Sequence, residues 1–318
     1  MFHYLITRPL GYIIDLIYKG VQNYGLAIIL FTIIIKVILL PLNIKSQKAM
    51  RKQQKIQPII AELQKKYAND KDKLQREMMK IYKDNNVSMM GGCLPMLIQM
   101  PILIGLYQVI QRPITYLAGV TEWTQANLDI VGAIRDKMIA SYPDLVGNLA
   151  STDLAMLVKT GQIQISKWCS ILGEHLEWAF NFNFLGLDLS NTPMAAVNRL
   201  MALDFSDMGI VLLILIPVLA VLSTLWSTKI TQAQSGTKPS DTAEDTSSQM
   251  ANTMNIMMPL MTGFFTLTLP SGMGVYWIIS SVVQVLQQLV LNYYFDKKGD
   301  DIDVKLPSKN NRKKGKNR

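Results

Sequence analysis

Residues 27–41 read Ala-Ile-Ile-Leu-Phe-Thr-Ile-Ile-Ile-Lys-Val-Ile-Leu-Leu-Pro, an apolar run with one cation, Lys36, near its middle. Uninterrupted apolar runs of about 18 residues or more are typical of transmembrane helices. A cation at the bilayer centre costs about 2.5–3.5 kcal/mol on insertion scales. Lys45, the next basic residue, lies roughly 13 Å further along a helix and marks the nearest polar edge of the span. A lysine side chain is too short to bring the ammonium group of Lys36 that far. The run therefore predicts a membrane span whose lysine needs a polar environment.

Four further apolar runs occur in the 318-residue chain, although its formal net charge is +9. We therefore predict an all-α integral membrane protein, with five transmembrane helices around a hydrophilic groove and a cytoplasmic helical hairpin. The predicted spans are 24–44, 93–112, 208–228, 253–269 and 275–294, and the last two are joined by a tight turn at 270–274. The remaining segments are an outer-face amphipathic segment at 1–23, the hairpin at 45–92, an extracytoplasmic segment with short helices at 113–207, a cytoplasmic loop at 229–252 and a basic cytoplasmic tail at 295–318.

The distribution of basic residues predicts the orientation in the membrane. Residues 45–92 carry twelve basic and five acidic side chains, whereas 113–207 carry five basic and ten acidic ones. The tail at 295–318 has nine basic and four acidic side chains. Cytoplasmic loops of membrane proteins are enriched in Lys and Arg. The pattern thus predicts an outer N-terminus and a cytoplasmic C-terminus.

The hairpin and the tail each allow a plain and a functional interpretation. Apolar residues recur at helical spacing on both sides of Ala68-Asn69-Asp70, which indicates two packed helices that are either a solvated loop or a docking arm. Pro58 is expected to kink or break the first helix. The tail cluster is either a disordered basic segment whose charge keeps the C-terminus in the cytoplasm, or a contact for ribosomal RNA or anionic lipid. Its members are Arg312, Lys313, Lys314, Lys316 and Arg318.

Polar residues at helical spacing suggest a water-filled groove around the lysine. No carboxylate lies within any of the five predicted spans, so an ion pair inside the bundle is not expected. The alternative is that these residues form ordinary hydrogen bonds between helices. Of Gln99 and Gln108, which point in opposite directions on one helix, at most one faces the groove. The other candidates are Thr32, Lys36 and Asn43 in the first span, Asn255, Thr262 and Thr266 in the fourth, and Tyr276, Ser280, Gln284 and Gln287 in the fifth.

Composition argues against a disulfide framework and against a metal centre. The chain has two cysteines, Cys93 and Cys169, which are expected on opposite sides of the membrane, and two isolated histidines. No glycine-rich phosphate loop or catalytic constellation occurs. We therefore predict no cofactor, no metal and no enzymatic activity.

Several stretches together resemble the YidC family of membrane protein insertases, over the whole membrane core and in order. The first leads from Tyr24-Gly25-Leu26-Ala27-Ile28-Ile29 through Thr32 and Lys36 to Leu40-Pro41-Leu42. The others are Gly91-Gly92-Cys93-Leu94-Pro95-Met96-Leu97-Ile98-Gln99-Met100-Pro101-Ile102, Phe184-Leu185-Gly186-Leu187-Asp188-Leu189, and Met258-Pro259-Leu260-Met261 through Leu269-Pro270-Ser271-Gly272 to Tyr276-Trp277 and Gln287-Gln288. The absence of both a signal peptide and a large outer domain between two N-terminal spans makes the chain similar to the shorter, Gram-positive-type form of the family. This resemblance implies that the protein lies in a bacterial cell membrane.

The resemblance implies a groove that is open to the cytoplasm and to lipid but closed on the outside. Its cation would attract the acidic tail of a short hydrophobic substrate, and Tyr276 and Trp277 match the aromatic pair near the substrate path. Lys36 matches a position that the family usually fills with arginine, which keeps its charge when desolvated more firmly than lysine does. The segment at 113–207 looks longer than in typical members.

The resemblance also implies the partners. They are nascent membrane proteins, with a Sec-type translocon and the ribosome as further candidates. The basic hairpin and tail could also rest on anionic lipids. The alternative function is a small-molecule or ion transporter that uses the same polar groove. A transporter would be expected to show inverted repeats or acidic coupling residues within its spans, and the sequence shows neither.

Overall fold

The computed structural model describes residues 3–87, 94–235 and 246–298, and these residues are mostly helical. Contacts divide the chain into two compact units. Unit 1 comprises Met1–Val37, Gln99–Leu225 and Ile256–Val283, and unit 2 comprises Ile38–Ile98, Trp226–Asn255 and Gln284–Arg318.

The helices follow one another with short connections, apart from one small hairpin of strands. The first half contains a π-helical turn at His3–Thr7, then α1 (Arg8–Val21), α2 (Tyr24–Ile38), α3 (Leu40–Lys66), α4 (Lys71–Asp84), α5 (Leu94–Gln111), α6 (Pro113–Tyr116) and α7 (Gln125–Ser141). The second half contains α8 (Pro143–Val146), α9 (Leu154–Thr160), α10 (Gln162–Leu172), β1 (Asn183–Phe184), β2 (Leu187–Asp188), α11 (Pro193–Met201), α12 (Met208–Leu212), α13 (Leu215–Ser235), α14 (Thr246–Thr268) and α15 (Ser271–Lys298), with 3₁₀ turns at Gly147–Ser151 and Leu176–Trp178.

Two helical segments of the described chain are long and apolar enough to cross a membrane, namely Met208–Thr231 and Ser271–Lys297. The pair α2 and α3 makes a third if the break between them is counted within one span. A further apolar helix, Met257–Thr268, is shorter. The protein is thus a helical protein with clear membrane-span candidates, and the number of five spans stays a prediction.

The first predicted span is not one continuous helix. α2 ends at Ile38, and α3 begins at Leu40 with Pro41 in its first turn, where a proline is tolerated because its missing N–H would have no helical partner. α3 then continues without interruption through Pro58. Pro58 therefore does not break the helix. A break was one of the two outcomes expected from the sequence, and a kink was the other.

In unit 2, α3 and α4 pack against each other as a helical hairpin. Its core consists of the fully or nearly buried Ile56, Ile60, Ile81 and Tyr82, together with Val87, which follows α4. These positions have the helical spacing seen in the sequence, so each helix buries one apolar stripe. The charged side chains occupy the opposite faces, and the location of the hairpin in the cytoplasm stays a prediction.

In unit 1, α1 packs tightly on the neighbouring helices. A Cβ atom at Gly11 would lie 2.8 Å from the Tyr116 ring, and one at Gly105 would lie 2.8 Å from Leu10. These two glycines therefore allow α1 to approach α6 and α5 closely. The opposite face of α1 is exposed and apolar, with Tyr12 and Leu16. The amphipathic character and the outer-face location of residues 1–23 stay predictions.

One exception to the all-α expectation is an antiparallel hairpin of two short strands, β1 and β2. Its turn consists of Leu185 and Gly186, which both have positive φ, at 52° and 80°. Two consecutive residues with positive φ are what a tight two-residue hairpin requires, because their twist matches that of the strands. The sequence analysis predicted no strands here, because strands of two residues leave no alternating pattern.

Residues 181–191, which include the β1–β2 hairpin, contact the first turns of α2 and α15. We call these residues the clasp. The backbone N–H of Tyr24 donates to the Asn181 carbonyl at 3.0 Å. The Ser271 hydroxyl donates to the Asn191 carbonyl at 2.7 Å, and the Ser271 N–H donates to the same oxygen at 3.0 Å. The first N–H groups of a helix have no partner within it, so the clasp satisfies some of them.

We predict that Gly25→Ala destabilises unit 1. An added Cβ would lie 2.5 Å from the Phe184 ring in the clasp, so the ring or α2 must shift, and overpacking of this kind costs about 1–3 kcal/mol. Thermal unfolding in detergent should therefore begin at a lower temperature. Gly20→Ala is the matched control, since nothing lies within 4 Å of its added Cβ. An unchanged melting temperature for Gly25→Ala would show that the contact is not tight in solution.

Candidate functional site

Lys36 lies in the last turn of α2, on the face that is turned away from the surface. Only 7% of the residue is exposed, whereas 59% of the next residue, Val37, is exposed. Thr32, one turn earlier, is fully buried on the same face. The exposed apolar face of α2 is suited to lipid, so the cation is directed away from lipid.

The threonines of the polar stripes satisfy their hydroxyl groups within their own helices. Thr32 donates to the Ile28 carbonyl at 2.7 Å. On α14, Thr262 donates to the Met258 carbonyl at 3.0 Å, and Thr266 donates to the Thr262 carbonyl at 2.7 Å. Threonine commonly makes this bond to the preceding turn. Buried threonines therefore do not by themselves require water in a groove.

Gln99, Tyr276 and Ser280 form a polar contact between α5 and α15 within unit 1. The Gln99 side-chain amide donates to the Tyr276 hydroxyl. The Ser280 hydroxyl, one turn further along α15, hydrogen-bonds to the same phenol. Tyr276 and Ser280 are both buried. Gln108 points elsewhere and accepts from the Thr7 hydroxyl at 3.4 Å, as its position opposite Gln99 on the helix predicts.

Trp277 is next to Tyr276 in sequence but has different surroundings. Its ring stacks on Phe265 of α14, with the centroids 6.3 Å apart and the ring planes 5° apart. It is only half-buried, whereas Tyr276 is buried. The two members of the aromatic pair therefore combine one polar contact in the interior with one apolar ring near the surface.

In unit 2, Asn43 and Gln287 belong to a series of polar contacts between α3 and α15. Asn43 donates to the Gln287 side-chain carbonyl at 3.3 Å. One turn further on α3, Gln47 donates to the side-chain carbonyl of Asn292 at 3.4 Å. We call this series, together with the next contact along the helices, the polar ladder.

The last contact of the polar ladder is made by Arg51. Its guanidinium donates to the Asp296 carboxylate at 3.0 Å and to the Asn292 side-chain carbonyl at 2.9 Å. The same guanidinium lies 4.9 Å from the centre of the Phe295 ring. Sequence reasoning selected Asn43 and Gln287 and missed the rest, although Asn43, Gln47 and Arg51 follow one another at four-residue spacing.

The remaining candidates of unit 2 differ in their surroundings. The Gln284 side chain is exposed, and the side chain of Asn255 lies outside the described residues. Gln288, which was not among the candidates, is buried and donates to the Thr231 hydroxyl of α13 at 2.8 Å. The tail cluster at 312–318 also lies outside the described residues. In the part of the chain that the structure describes, no group of acidic, histidine and cysteine side chains is suited to hold a metal ion.

Asp188 organises the clasp at the end of unit 1 where α2 and α15 begin. It accepts from the Lys167 ammonium at 2.8 Å and from the Ser190 N–H at 3.0 Å. The Ser190 hydroxyl donates to it as well, and so does the Asn191 side chain at 3.2 Å. Burial alone would raise the pKa of Asp188, but the hydrogen bonds from Lys167 and Ser190 outweigh it, so the pKa is lowered.

Comparison with known proteins places these residues in a family. A family described as "60Kd inner membrane protein" matches residues 16–298. A membrane protein insertase YidC of Clostridium perfringens is 32% identical over 278 residues, which cover 87% of this chain and 82% of the relative. The chain belongs to the YidC family. The match includes Lys36, both aromatic residues, the polar ladder and the clasp, and it leaves out residues 1–15 and 299–318.

Two other YidC insertases show how the similarity is distributed. That of Caldanaerobacter subterraneus is 29% identical over 285 residues, which cover 90% of this chain and 93% of the relative. That of Nitratidesulfovibrio vulgaris is 49% identical over 109 residues, which cover 34% of this chain and 20% of the relative. The chain thus resembles YidC proteins of comparable length throughout and resembles a longer one strongly over a shorter region.

We predict an energetic coupling between Gln99 and Tyr276. Tyr276→Phe leaves the Gln99 amide without this acceptor, and an unsatisfied buried polar group costs about 1–3 kcal/mol. Gln99→Leu leaves the phenol without this donor. The double variant should be more stable than the sum of the two single effects, because neither group is then left unmatched. Thermal unfolding of all four proteins measures the coupling, and simple additivity would show that the contact is absent in solution.

We also predict that the stability of the clasp depends on pH. A carboxyl group with a lowered pKa stabilises the folded state above its unfolded pKa, about 3.9 for aspartate, and this stabilisation is lost as the pH falls through the folded value. Asp188→Asn should therefore lower the melting temperature at pH 7, and the difference from the unchanged protein should shrink below about pH 4. Asp136→Asn, at an exposed carboxylate, is the control. A difference that stays constant down to pH 2 would contradict the role of the Asp188 charge.

Proposed function

We propose that the protein is a membrane protein insertase and chaperone. It receives hydrophobic segments of newly made proteins beside Lys36 and releases them into the bilayer. Membership in the YidC family and the name shared by the relatives support this function. The relatives are named insertases, and none of those compared is named a transporter. The transporter alternative therefore has no support.

The observation that carries the mechanism is the position of Lys36 on the inward face of α2. A positive charge on the lipid-exposed face could only meet hydrocarbon or snorkel to the interface. On the inward face it can act on a polypeptide that enters between the helices. Attraction between two unit charges about 4 Å apart ranges from about 1 kcal/mol in water to about 4 kcal/mol in a partly hydrated protein site. This energy is enough to recruit an acidic tail and small enough to release it.

The candidate residues of unit 1 would contribute in different ways. Thr32 lies on the same buried face of α2 as Lys36. Gln99, Tyr276 and Ser280 offer polar groups that already bond to one another, and they could exchange these bonds for contacts with a substrate backbone. Trp277 presents an apolar ring on which a hydrophobic segment can slide. The groove itself is an inference from this set of residues.

The candidates of unit 2 differ in how well their surroundings allow contact with a substrate. Asn43 and Gln287 are bonded to each other, so their primary role is to join α3 to α15. Gln284 is exposed and available to a passing chain. Asn255 is kept as a candidate on its sequence position alone. Of these residues, Gln284 therefore has the strongest case for contact with a substrate.

The orientation and the partners extend the proposal. The charge distribution favours an outer N-terminus, with the α3–α4 hairpin and the C-terminus in the cytoplasm. In that orientation the basic hairpin and the tail could contact a ribosome, a Sec-type translocon or anionic lipids. The clasp would then close the outer end of the helices, because it covers the first turns of α2 and α15.

We predict that two properties decide which substrates are inserted: the charge of the side chain at position 36, and the face of α2 on which that charge lies. In an insertase-depleted strain, Lys36→Arg should support insertion of a short substrate with an acidic N-terminal tail, Lys36→Ala should reduce it about tenfold, and Lys36→Glu should abolish it. A substrate with a basic tail should regain insertion in the Lys36→Glu strain. Translocation of the tail, measured by protease protection, is the readout, and immunoblotting checks that each variant is present.

The double variant Lys36→Val/Val37→Lys is the matched control for position. It keeps the composition and the charge of α2 but moves the cation to the exposed face. We expect it to behave like Lys36→Ala. Equal activity of Lys36→Glu and unchanged protein with an acidic-tailed substrate would refute the electrostatic mechanism. Crosslinking from Thr32, Tyr276 and Gln284 to a nascent membrane protein tests the path itself, and adducts from none of them would place the path elsewhere.

A further inference from the structure

Unit 1 contains a second site that the insertase mechanism does not use. A cavity of about 730 Å³ lies between α1 and the segment that follows α5. Its lining includes Arg8 and Asp15 of α1, Arg112 at the start of α6, Trp123 before α7 and Lys159 of α9. None of the proposed groove residues lines it. It therefore needs an explanation of its own.

The charges around the cavity favour an anion. Arg8, Arg112 and Lys159 bring three positive charges, and Asp15 brings one negative charge. The Asp15 carboxylate already binds the Lys19 ammonium at 2.8 Å, so that charge is offset from outside the cavity lining. Among the residues that the structure describes, none of the three lining cations forms an ion pair with a carboxylate. The cavity thus holds excess positive charge.

The two arginines line the cavity together with two tyrosines, Tyr4 and Tyr116. The Arg8 guanidinium lies 5.1 Å from the centre of the Tyr4 ring. Burial raises the pKa of Tyr116, and the positive charges of Arg112 and Arg8 both oppose this rise. Guanidinium groups offer paired N–H donors that match the oxygens of a phosphate. A phosphate between Arg8 and Arg112 would meet donors from both sides.

Asp15 indicates that the ligand has more than a phosphate. Its Oδ2 atom accepts from Lys19, but its Oδ1 atom is buried and accepts no hydrogen bond from the described residues. A buried carboxylate oxygen needs a donor, such as a hydroxyl group of the ligand. Arg8 and Asp15 are two turns apart on one side of α1, about 10 Å along the helix, so one elongated polar headgroup can reach both side chains.

The same helix supplies the apolar surface that an acyl chain would need. Tyr12 and Leu16, four residues apart on one side of α1, are largely exposed, and so is Leu5 in the π-helical turn that precedes α1. Tyr12 also lines the cavity. An exposed apolar stripe beside basic side chains is typical of a helix that lies in the headgroup region of a membrane. A free phosphate or a polar peptide would make no use of this stripe.

We propose that this cavity binds the headgroup of a glycerol-bearing anionic phospholipid. The phosphate sits between Arg8 and Arg112, a glycerol hydroxyl donates to Asp15, and the acyl chains follow the stripe of Leu5, Tyr12 and Leu16. Arg8 and Asp15 precede residues 16–298, the region that matches the family. The bound lipid would fix α1 to the segment that follows α5.

Binding of a short-chain lipid to the purified full-length protein tests the proposal. Dioctanoyl phosphatidylglycerol is titrated in detergent, and bound lipid is counted by native mass spectrometry. We expect the double variant Arg8→Gln/Arg112→Gln to weaken binding at least about tenfold, since each of its two substitutions removes charge-assisted hydrogen bonds to the phosphate. Arg135→Gln/Lys137→Gln is the matched control, because it removes two positive charges from α7 without touching the cavity. It should leave the affinity unchanged.

Two further arms identify the chemistry of the ligand. Asp15→Ala should weaken binding of phosphatidylglycerol and leave that of dioctanoyl phosphatidic acid, which has no glycerol headgroup, unchanged. Arg8→Lys/Arg112→Lys should bind with intermediate affinity, and it carries the test if the glutamine variant does not fold. Equal weakening in the cavity and control variants overturns the proposal. So does inorganic phosphate, or an acidic peptide, that binds as tightly as the lipid and depends on the same arginines.

Discussion

A polar group in a membrane must find its partner within the protein, and this constraint governs the described helices. The buried threonines meet it by donating to the preceding turn of their own helix, as Thr32 does toward Ile28. Gln99 and Tyr276 meet it by bonding across two helices. Neither solution fully accounts for a lysine, because its charge remains after its N–H groups have been matched. Lys36 therefore stands apart from the other polar residues of the helices, and a function that uses charge is the natural reason for its presence.

Residue spacing predicted which faces are buried but not which residues pair. The apolar positions of the α3–α4 hairpin, such as Ile56 and Ile81, are buried as their helical periodicity indicates. Gln99 and Gln108 have different partners, as their opposite positions on one helix require. Periodicity describes a single helix, however, and a hydrogen bond between helices depends on two registers at once. For this reason the sequence selected Asn43 without recognising the polar ladder to which it belongs.

Local backbone geometry was the other property that the sequence did not reveal. The break at Leu39 and the short strands of the clasp leave little trace in a pattern of apolar residues, because both involve only one or two residues. Gly25 is an example of a residue whose role became visible only with its neighbour, the Phe184 ring. The resemblance to a family located these positions without explaining them. The explanation is steric, since the clasp can approach α2 only where no side chain is present.

The end of α2 at Ile38 has a further electrostatic consequence for the cation. The peptide dipoles of a helix add up to a partial negative charge at its C-terminus, and this charge acts mainly within the last turn. Lys36 lies in that turn. The interaction is worth about 0.3–1 kcal/mol at exposed sites and up to about 2 kcal/mol in partly buried ones, which offsets part of the cost of a buried ammonium. The positive N-terminal end of α3, which begins at Leu40, opposes this contribution in part, and an unbroken span would not provide it at all. The break at Leu39 is therefore as much a component of the charged site as the lysine itself.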